Sequence, residues 1–177
     1  MTFVETELPG VFIVEPKKIE DDRGFFSRVW CEDALKKAGL NCNIVQINSS
    51  SNKEKGTLRG LHYQSSPNAE VKILTCTRGS VFDVAVDMRE DSKTFLSWIG
   101  VHLSEENRRF VYVPEGFAHG YQSTSDNAEV LYTSSNSYSP ESENGIRWND
   151  PKIDIEWPVE PINVSTKDQA WPLINRS

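Results

Sequence analysis

Short runs of β-branched and aromatic residues recur along most of the chain, separated by Gly, Pro, Asn, Asp and Ser. This pattern is typical of antiparallel sandwiches and barrels, whose strands are short and whose turns are frequent. Outside the hairpin described next, the strand candidates are residues 44–48, 57–64, 95–103, 110–113, 121–124 and 129–134. The pattern therefore predicts an all-β fold.

The clearest predicted hairpin joins residues 70–77 to residues 81–89 through a turn that contains Gly79. Two β-branched runs on either side of a glycine turn are the usual signal for paired antiparallel strands. Side chains alternate between the two faces of a strand. In the second run one face carries Phe82, Val84, Val86 and Met88, and the other carries Asp83, Ala85 and Asp87.

Lys72 stands out in the first of these two runs, because it shares a face with Leu74 and Cys76. The alkyl stem of a lysine crosses an apolar face only if its ammonium group finds a polar partner. The alternation therefore makes Lys72 a candidate functional residue.

One short helix is predicted in CEDALKKAGL, which has apolar residues at helical spacing, acids in its first turn and Gly39 as a C-cap. After Asn144 the sequence becomes rich in Trp and Pro. Such a segment favours an irregular C-terminal wrap over the barrel. No internal repeat is visible, and we expect a single domain over residues 1–177.

The formal charge of −7 disfavours nucleic acid as a partner, because the basic residues are scattered. No apolar run is long enough to span a membrane, and the first residues lack the pattern of a signal peptide. We therefore expect a cytoplasmic protein without a membrane partner. Three cysteines without C-x-x-C spacing indicate free thiols.

Two of the three histidines occur in suggestive settings. The segment VPEGFAHGY delivers His119 after a Pro and Gly turn and resembles the second motif of cupin barrels. In metal cupins the first motif supplies H-x-H, but the corresponding stretch here is GLHYQ, with His62 followed by Gln64. His102 has no neighbouring ligand. The sequence therefore predicts no metal and no other cofactor.

A polar barrel interior without a metal suits acid–base chemistry, for which His62, Lys72 and Tyr132 are adequate parts. Spacing alone leaves a structural alternative open for two of them. A histidine in a strand is often a satisfied structural residue, and tyrosine is common in strands. A choice between these alternatives needs more than spacing.

The chain resembles the dTDP-4-dehydrorhamnose 3,5-epimerase family over nearly its whole length. Six stretches carry the resemblance, in this order: DRGFF, GTLRGLHYQ, EVKIL followed by RGSVFDVAVDMR, VPEGFAHGY, EVLY, and YSPESENGIRWNDP. STKDQAWPLI extends it toward the C-terminus. The resemblance implies a cupin-type jelly-roll barrel or sandwich that epimerises a nucleotide-linked 4-keto-6-deoxy sugar. The C3 and C5 hydrogens flank the C4 carbonyl, so loss of either proton gives an enolate.

The resemblance also implies the catalytic roles. His62 would be the base and Asp168 would orient it. Lys72 would stabilise the enolate oxygen, and Tyr132 would deliver a proton from the other face.

Binding roles follow from the resemblance in the same way. Arg59 and Arg23 would hold the diphosphate, His119 would lie by the sugar, and Tyr138 would stack on the base. The other expected site residues are Phe26, Arg28, Gln46, Asn48, Glu143 and Lys167. At Arg28 the family usually has a glutamate, so this position departs from the pattern. The resemblance further implies a homodimer in which N-terminal strands extend the partner's sheet, with Arg23 acting across the interface.

Four alternatives remain open at this point. A mono-epimerase would invert C3 or C5 only, and a related enzyme would use another sugar nucleotide. A metal-dependent cupin enzyme would need the H-x-H motif that the sequence lacks. A non-catalytic carbohydrate-binding barrel would tolerate loss of His62.

Overall fold

The structure is a computed structural model that describes residues 1–174. It contains fifteen elements of secondary structure, which are thirteen strands and two helices. In chain order they are β1 (Thr2–Glu5), β2 (Phe12–Glu15), β3 (Lys18–Asp21), β4 (Gly24–Ser27), α1 (Glu32–Lys37), β5 (Gln46–Asn52), β6 (Leu58–Gln64), β7 (Lys72–Arg78), β8 (Ser80–Asp87), β9 (Trp98–Ser104), β10 (Phe110–Val113), β11 (Phe117–Ser123), β12 (Ala128–Ser134), β13 (Glu143–Gly145) and α2 (Thr166–Ala170). All strand pairs between these elements are antiparallel.

Two sheets form a sandwich, and a separate two-stranded hairpin lies outside them. The six-stranded sheet has the order β1-β2-β10-β7-β12-β5, and the five-stranded sheet has the order β13-β6-β11-β8-β9. The hairpin consists of β3 and β4. This arrangement confirms the predicted all-β, cupin-type sandwich.

The main core lies between the two sheets and draws on alternate residues of their inner faces. Its buried members include Leu74 and Cys76 of β7, Val81 and Ala85 of β8, and Val130 of β12. The other face of β8 is buried as well, because Phe82, Val84 and Val86 pack beneath the C-terminal segment. The predicted alternation in β8 is therefore correct.

The predicted pairing of the Gly79 hairpin is wrong. β7 pairs with β10 and β12, whereas β8 pairs with β9 and β11. The turn at Gly79, where φ is +67°, therefore carries the chain from one sheet to the other. A local turn pattern fixes the reversal of direction but not which strands become neighbours, and here longer-range partners occupy both edges of each strand.

The helical prediction is correct for α1, which buries Leu35 and ends before Gly39 with φ of +73°. The C-terminal segment is irregular over most of its length and packs Ile146, Ile153 and Trp157 on the five-stranded sheet. A second short helix, α2, forms within that segment and was not predicted. Within residues 1–174, no helix has the length and apolar character needed to cross a membrane.

Candidate active site

A cleft of about 610 Å³ opens at one end of the sandwich, between the two sheets. His62 and His119 reach it from the five-stranded sheet, and Lys72 and Tyr132 reach it from the six-stranded sheet. A neighbouring recess of about 320 Å³ shares His62, Lys72 and Tyr132 with the cleft. These three side chains therefore stand where the two spaces meet.

His62 forms a hydrogen-bonded pair with Asp168 of α2, with 2.5 Å between Nε2 and Oδ1. The imidazole remains 30% exposed, whereas the carboxylate is only 5% exposed. An ionised carboxylate only accepts hydrogen bonds, so Nε2 carries the proton and Nδ1 keeps a basic lone pair. The pair therefore fixes one tautomer of a solvent-accessible imidazole, as a general base requires.

Helix α2 fixes the position of Asp168 through its N-cap. Ser165 Oγ accepts a hydrogen bond of 3.0 Å from Asp168 N, and Gly60 N donates to Asp168 Oδ2 at 3.3 Å. Burial alone would raise the pKa of Asp168, but the hydrogen bond and charge of His62, with help from Gly60 and Ser165, hold it below its usual value. The carboxylate is therefore ionised at neutral pH.

We expect the Asp168→Asn variant to be less stable than the parent at neutral pH, and this difference to shrink in acid. A group whose pKa is lowered by folding adds stability above its unfolded-state pKa and loses it as the pH falls through the folded-state value. The free energy of unfolding in urea, measured for both proteins from neutral to acidic pH, checks this expectation. A difference that stays constant over that range would contradict it.

His119 belongs to a second, more deeply buried pair on the same sheet. Its Nε2 lies 2.7 Å from Asp83 Oδ2, and the two side chains are 7% and 1% exposed. His119 faces His62 in the register of β11 and β6. The two imidazoles therefore lie side by side on one wall of the cleft, each held by its own carboxylate.

Two glycines allow β6 and β11 to approach closely enough for this arrangement. A Cβ on Gly60 would lie 2.6 Å from Gly120 Cα, and a Cβ on Gly120 would lie 2.6 Å from the carbonyl oxygen of Arg59. Gly60 also has φ of +132°, which other residues rarely adopt. The glycines in RGLH and HGY therefore serve the placement of the neighbouring histidines.

Lys72 and Tyr132 form the opposite wall. Lys72 Nζ lies 3.0 Å from Glu70 Oε1, which supplies the partner that the pattern of β7 required. The pKa of Tyr132 is raised, chiefly by burial and further by Tyr121 and Glu70, against a lowering by Arg59. Its phenol is therefore protonated at neutral pH.

The polar inner face of β5 lines the same end of the sandwich. Its alternating burial turns Gln46 and Asn48 inward, and both line the recess beside Tyr132. Arg59 is held at the cleft by two contacts, from Nε to Asn52 Oδ1 at 2.8 Å and from Nη2 to Ser51 O at 3.2 Å. Within residues 1–174, its other guanidinium donors make no hydrogen bond.

Tyr138, Glu143 and Lys167 form a linked group at the mouth of the recess. Tyr138 Oη donates to Glu143 Oε2 at 2.8 Å, and Lys167 Nζ donates to Glu143 Oε1 at 2.5 Å. Tyr138 remains 56% exposed. The group ties the loop before β13 to helix α2 and leaves an aromatic face open to solvent.

Three predicted binding residues lie elsewhere. Arg23, Phe26 and Arg28 belong to the exposed β3–β4 hairpin and the residue that follows it. Arg23 pairs with Asp21 at 2.6 Å. Within residues 1–174, the structure does not bring these three side chains to the cleft of their own chain.

Gln64, at the position of the second histidine in metal cupins, has a structural role. It donates to Asn68 O and Ser137 O, and its Oε1 accepts from Ser139 N at 2.6 Å. Across the part of the chain that the structure describes, no group of three His, Cys, Asp or Glu side chains is arranged as metal ligands.

Sequence reasoning missed three residues that shape the site. Glu70 and Asp83 are the partners of Lys72 and His119, and Trp171 lies against His62 with 6.2 Å between ring centroids. Asp83 stands on the inner face of β8, so the alternation offered a signal for it. Glu70 precedes β7 and gave a weaker signal, namely its i to i+2 spacing from Lys72.

Known proteins of one family resemble this chain over nearly its full length. The family model for dTDP-4-dehydrorhamnose 3,5-epimerase matches residues 5–176. The dTDP-4-dehydrorhamnose 3,5-epimerase of Salmonella typhimurium is 46% identical over 179 residues, which cover 100% of this chain and 97% of that protein.

Two solved structures extend the comparison to the fold. The dTDP-4-dehydrorhamnose 3,5-epimerase of Bacillus anthracis, solved with TDP and PPi bound, has a TM-score of 0.94 at 39% identity and covers 98% of this chain and 99% of its own. The dTDP-6-deoxy-D-glucose-3,5-epimerase of Legionella pneumophila, solved with dTDP-4-keto-L-rhamnose, has a TM-score of 0.91 at 41% identity. The match covers 97% of this chain and 92% of the Legionella chain. Sequence and structure thus agree over nearly the full length, and the chain belongs to the dTDP-4-dehydrorhamnose 3,5-epimerase family.

Proposed function

We propose that His62 and Tyr132 carry out the family's reaction, the conversion of dTDP-4-dehydro-6-deoxy-D-glucose to dTDP-4-dehydro-L-rhamnose. The chain is an isomerase with dTDP-4-dehydrorhamnose 3,5-epimerase activity. His62 takes the proton from C3 or C5, and the electron pair of the broken C–H bond forms an enolate whose charge lies on the C4 oxygen. Tyr132 then protonates the same carbon from the opposite side, the ketone reforms, and the centre is inverted.

One observation carries this proposal: His62 and Tyr132 occupy opposite walls of one cleft. Inversion needs a proton acceptor on one face of the sugar and a proton donor on the other. The ionised Asp168 supports His62 in the role of acceptor. The raised pKa of Tyr132 supports its role as donor, because its phenol carries a proton at neutral pH.

We assign the stabilisation of the enolate oxygen to Lys72. Its ammonium lies on the same wall as Tyr132, and its side chain is only 14% exposed. A fixed positive charge in such a partly buried site stabilises developing negative charge more strongly than it would in water.

Binding of the nucleotide is assigned to the remaining polar groups. The free guanidinium donors of Arg59 suit diphosphate oxygens, and the open face of Tyr138 suits the pyrimidine. His119 would contact the sugar from the wall of His62. Gln46, Asn48 and Glu143 line the recess in which the base would lie, and Lys167 donates a hydrogen bond to Glu143 there.

A homodimer would give the β3–β4 hairpin a role in the partner's site. Arg23 and Phe26 are exposed on this hairpin, and Ile47 and Leu131 are exposed on the six-stranded sheet. β1 is an edge strand, so its backbone groups are open to further pairing. These features support pairing of two copies through their N-terminal strands, which would place Arg23 near the diphosphate bound in the partner's site. Arg28, at the position where the family usually has a glutamate, would lie near the same site.

A cytoplasmic location is part of the same proposal. The three free cysteines support it, because free thiols are usual in a reducing compartment.

The proposed reaction predicts deuterium at both C3 and C5 when the enzyme converts dTDP-4-dehydro-6-deoxy-D-glucose in D2O. Each inversion replaces a carbon-bound proton with one that exchanges with solvent. Proton NMR of the product checks both positions. Label at one carbon only would restrict the enzyme to mono-epimerisation, and conversion without label would overturn enolate chemistry.

A further inference from the structure

Both carboxylate oxygens of Glu70 are held by neighbouring side chains in the wall of the recess. Its Oε1 lies 3.0 Å from Lys72 Nζ, and its Oε2 accepts from Ser134 Oγ at 2.5 Å. The side chain is only 11% exposed. Both carboxylate oxygens are thus engaged by protein groups, although Glu70 lines the recess.

The backbone around Glu70 is held as firmly as its carboxylate. Val71 N donates to Ser135 Oγ at 2.8 Å, and Ser135 N donates to Val71 O at 3.0 Å. Ser134 is also the cross-strand partner of Lys72 in the β12–β7 register. Glu70, Lys72 and Ser134 are therefore parts of one rigid junction between two strands.

A carboxylate placed in this way controls where the ammonium of Lys72 lies. Lysine has a flexible four-carbon stem, and its ammonium would sample several positions in a cleft of this size. An ammonium has three hydrogen-bond donors. One donor engaged by Glu70 fixes the group, and the others remain for a ligand oxygen.

We propose that Glu70 is a positioning residue for the reaction, which acts by holding the ammonium of Lys72 against the C4 oxygen of the substrate. This inference rests on the proposed role of Lys72. Misplacing a catalytic group by about 1 Å can cost about 100-fold in rate. Because the enolate oxygen carries full charge only as the proton leaves carbon, misplacement of Lys72 affects kcat more than KM.

Two conservative variants distinguish the contribution of side-chain length at residue 70 from the contribution of its charge. Glu70→Gln keeps the chain length and an oxygen acceptor for Lys72, and its amide NH2 can donate to Ser134. Glu70→Asp keeps the charge but withdraws the carboxylate by one methylene. We expect the Glu70→Asp variant to lose about 10- to 100-fold in kcat with KM within about threefold, and the Glu70→Gln variant to stay within about fivefold of the parent.

The matched control is Glu129→Asp. Glu129 pairs with Arg78 across the same two strands at 3.9 Å, but both side chains are exposed and lie outside the cleft. The same shortening there should leave kcat and KM unchanged. Thermal unfolding of each variant shows that the fold is retained, and the rate of deuterium uptake at C3 and C5 reports enolate formation directly.

Lys72→Met separates the failure of this inference from the failure of the proposed function. If Lys72→Met is nearly inactive while Glu70→Asp keeps the parental kcat, the positioning role of Glu70 is overturned and the role of Lys72 stands. Equal losses of kcat in Glu70→Asp and Glu70→Gln also overturn the positioning role, because the length of side chain 70 would then matter no more than its charge. A fully active Lys72→Met enzyme would overturn the role of Lys72 itself.

Discussion

Replacing His62 by alanine is expected to lower kcat by about 1,000-fold, because the reaction then lacks its base. Within the described residues 1–174, no other group on the five-stranded wall combines exposure to the cleft with the orienting carboxylate of Asp168. His119 is buried and paired with Asp83, so it is poorly placed to substitute for His62. The loss should appear in both kcat and kcat/KM, since the proton transfer occurs only in the chemical step.

His102→Ala is the matched control for this variant. His102 is exposed on β9, in contact with Phe82, and does not line the cleft. Initial rates of conversion of dTDP-4-dehydro-6-deoxy-D-glucose should match the parent for His102→Ala. A His62→Ala enzyme that keeps a tenth of the parental kcat would remove His62 from the role of base.

Replacing Tyr132 by phenylalanine is expected to separate the exchange of the C3 and C5 hydrogens with solvent from inversion at these carbons, two processes that are coupled in the parent. Inversion should fall by about 100- to 1,000-fold, because no acid then protonates the enolate from the second wall. Removal of the proton by His62 should continue, and the imidazolium returns a solvent-derived proton to the face from which it came. Exchange at C3 and C5 should therefore remain within about tenfold of the parent.

Proton NMR in D2O measures exchange and inversion in the same sample. Tyr112→Phe serves as the control, because Tyr112 is also a buried tyrosine with a raised pKa but belongs to the cluster beneath α1. Its inversion rate should equal that of the parent. Equal losses of exchange and inversion in Tyr132→Phe would show that the phenol is needed to form the enolate rather than to quench it.

Much of the fold and part of the site follow from local patterns. Period-two alternation placed Lys72 on the same face of its strand as Leu74, and Asp83 on the opposite face from Phe82. Both placements are correct. The same alternation implied that Lys72 needs a partner, although it did not name Glu70. Local rules succeed here because side-chain direction in a strand depends on the backbone alone.

Other features depend on contacts between distant parts of the chain. The turn at Gly79 looked like a hairpin, but the strands on either side pair with β9 to β12 instead. Asp168 is 106 positions from His62, so only the family resemblance connected the two. Helix α2 did have a local signal, because Ser165 followed three residues later by Asp168 is a capping pattern.

The predicted roles of Arg23, Phe26 and Arg28 show a different limit. The family resemblance implies that they bind substrate, and the structure shows them exposed and away from the cleft of the same chain. A residue proposed to act in a partner's site does not line the cleft of its own chain. Their roles stay tied to the proposed homodimer.

Deuterium uptake by the substrate in the presence of His62→Ala is the most direct test of the central claim, that one base on the five-stranded wall removes both protons. Uptake is measured at C3 and C5 by proton NMR, with the parent and Tyr132→Phe as references. The account predicts that His62→Ala loses exchange and inversion together at both carbons, while Tyr132→Phe keeps exchange. Exchange at either carbon in His62→Ala at the parental rate would contradict it, because a group other than His62 would then remove that proton.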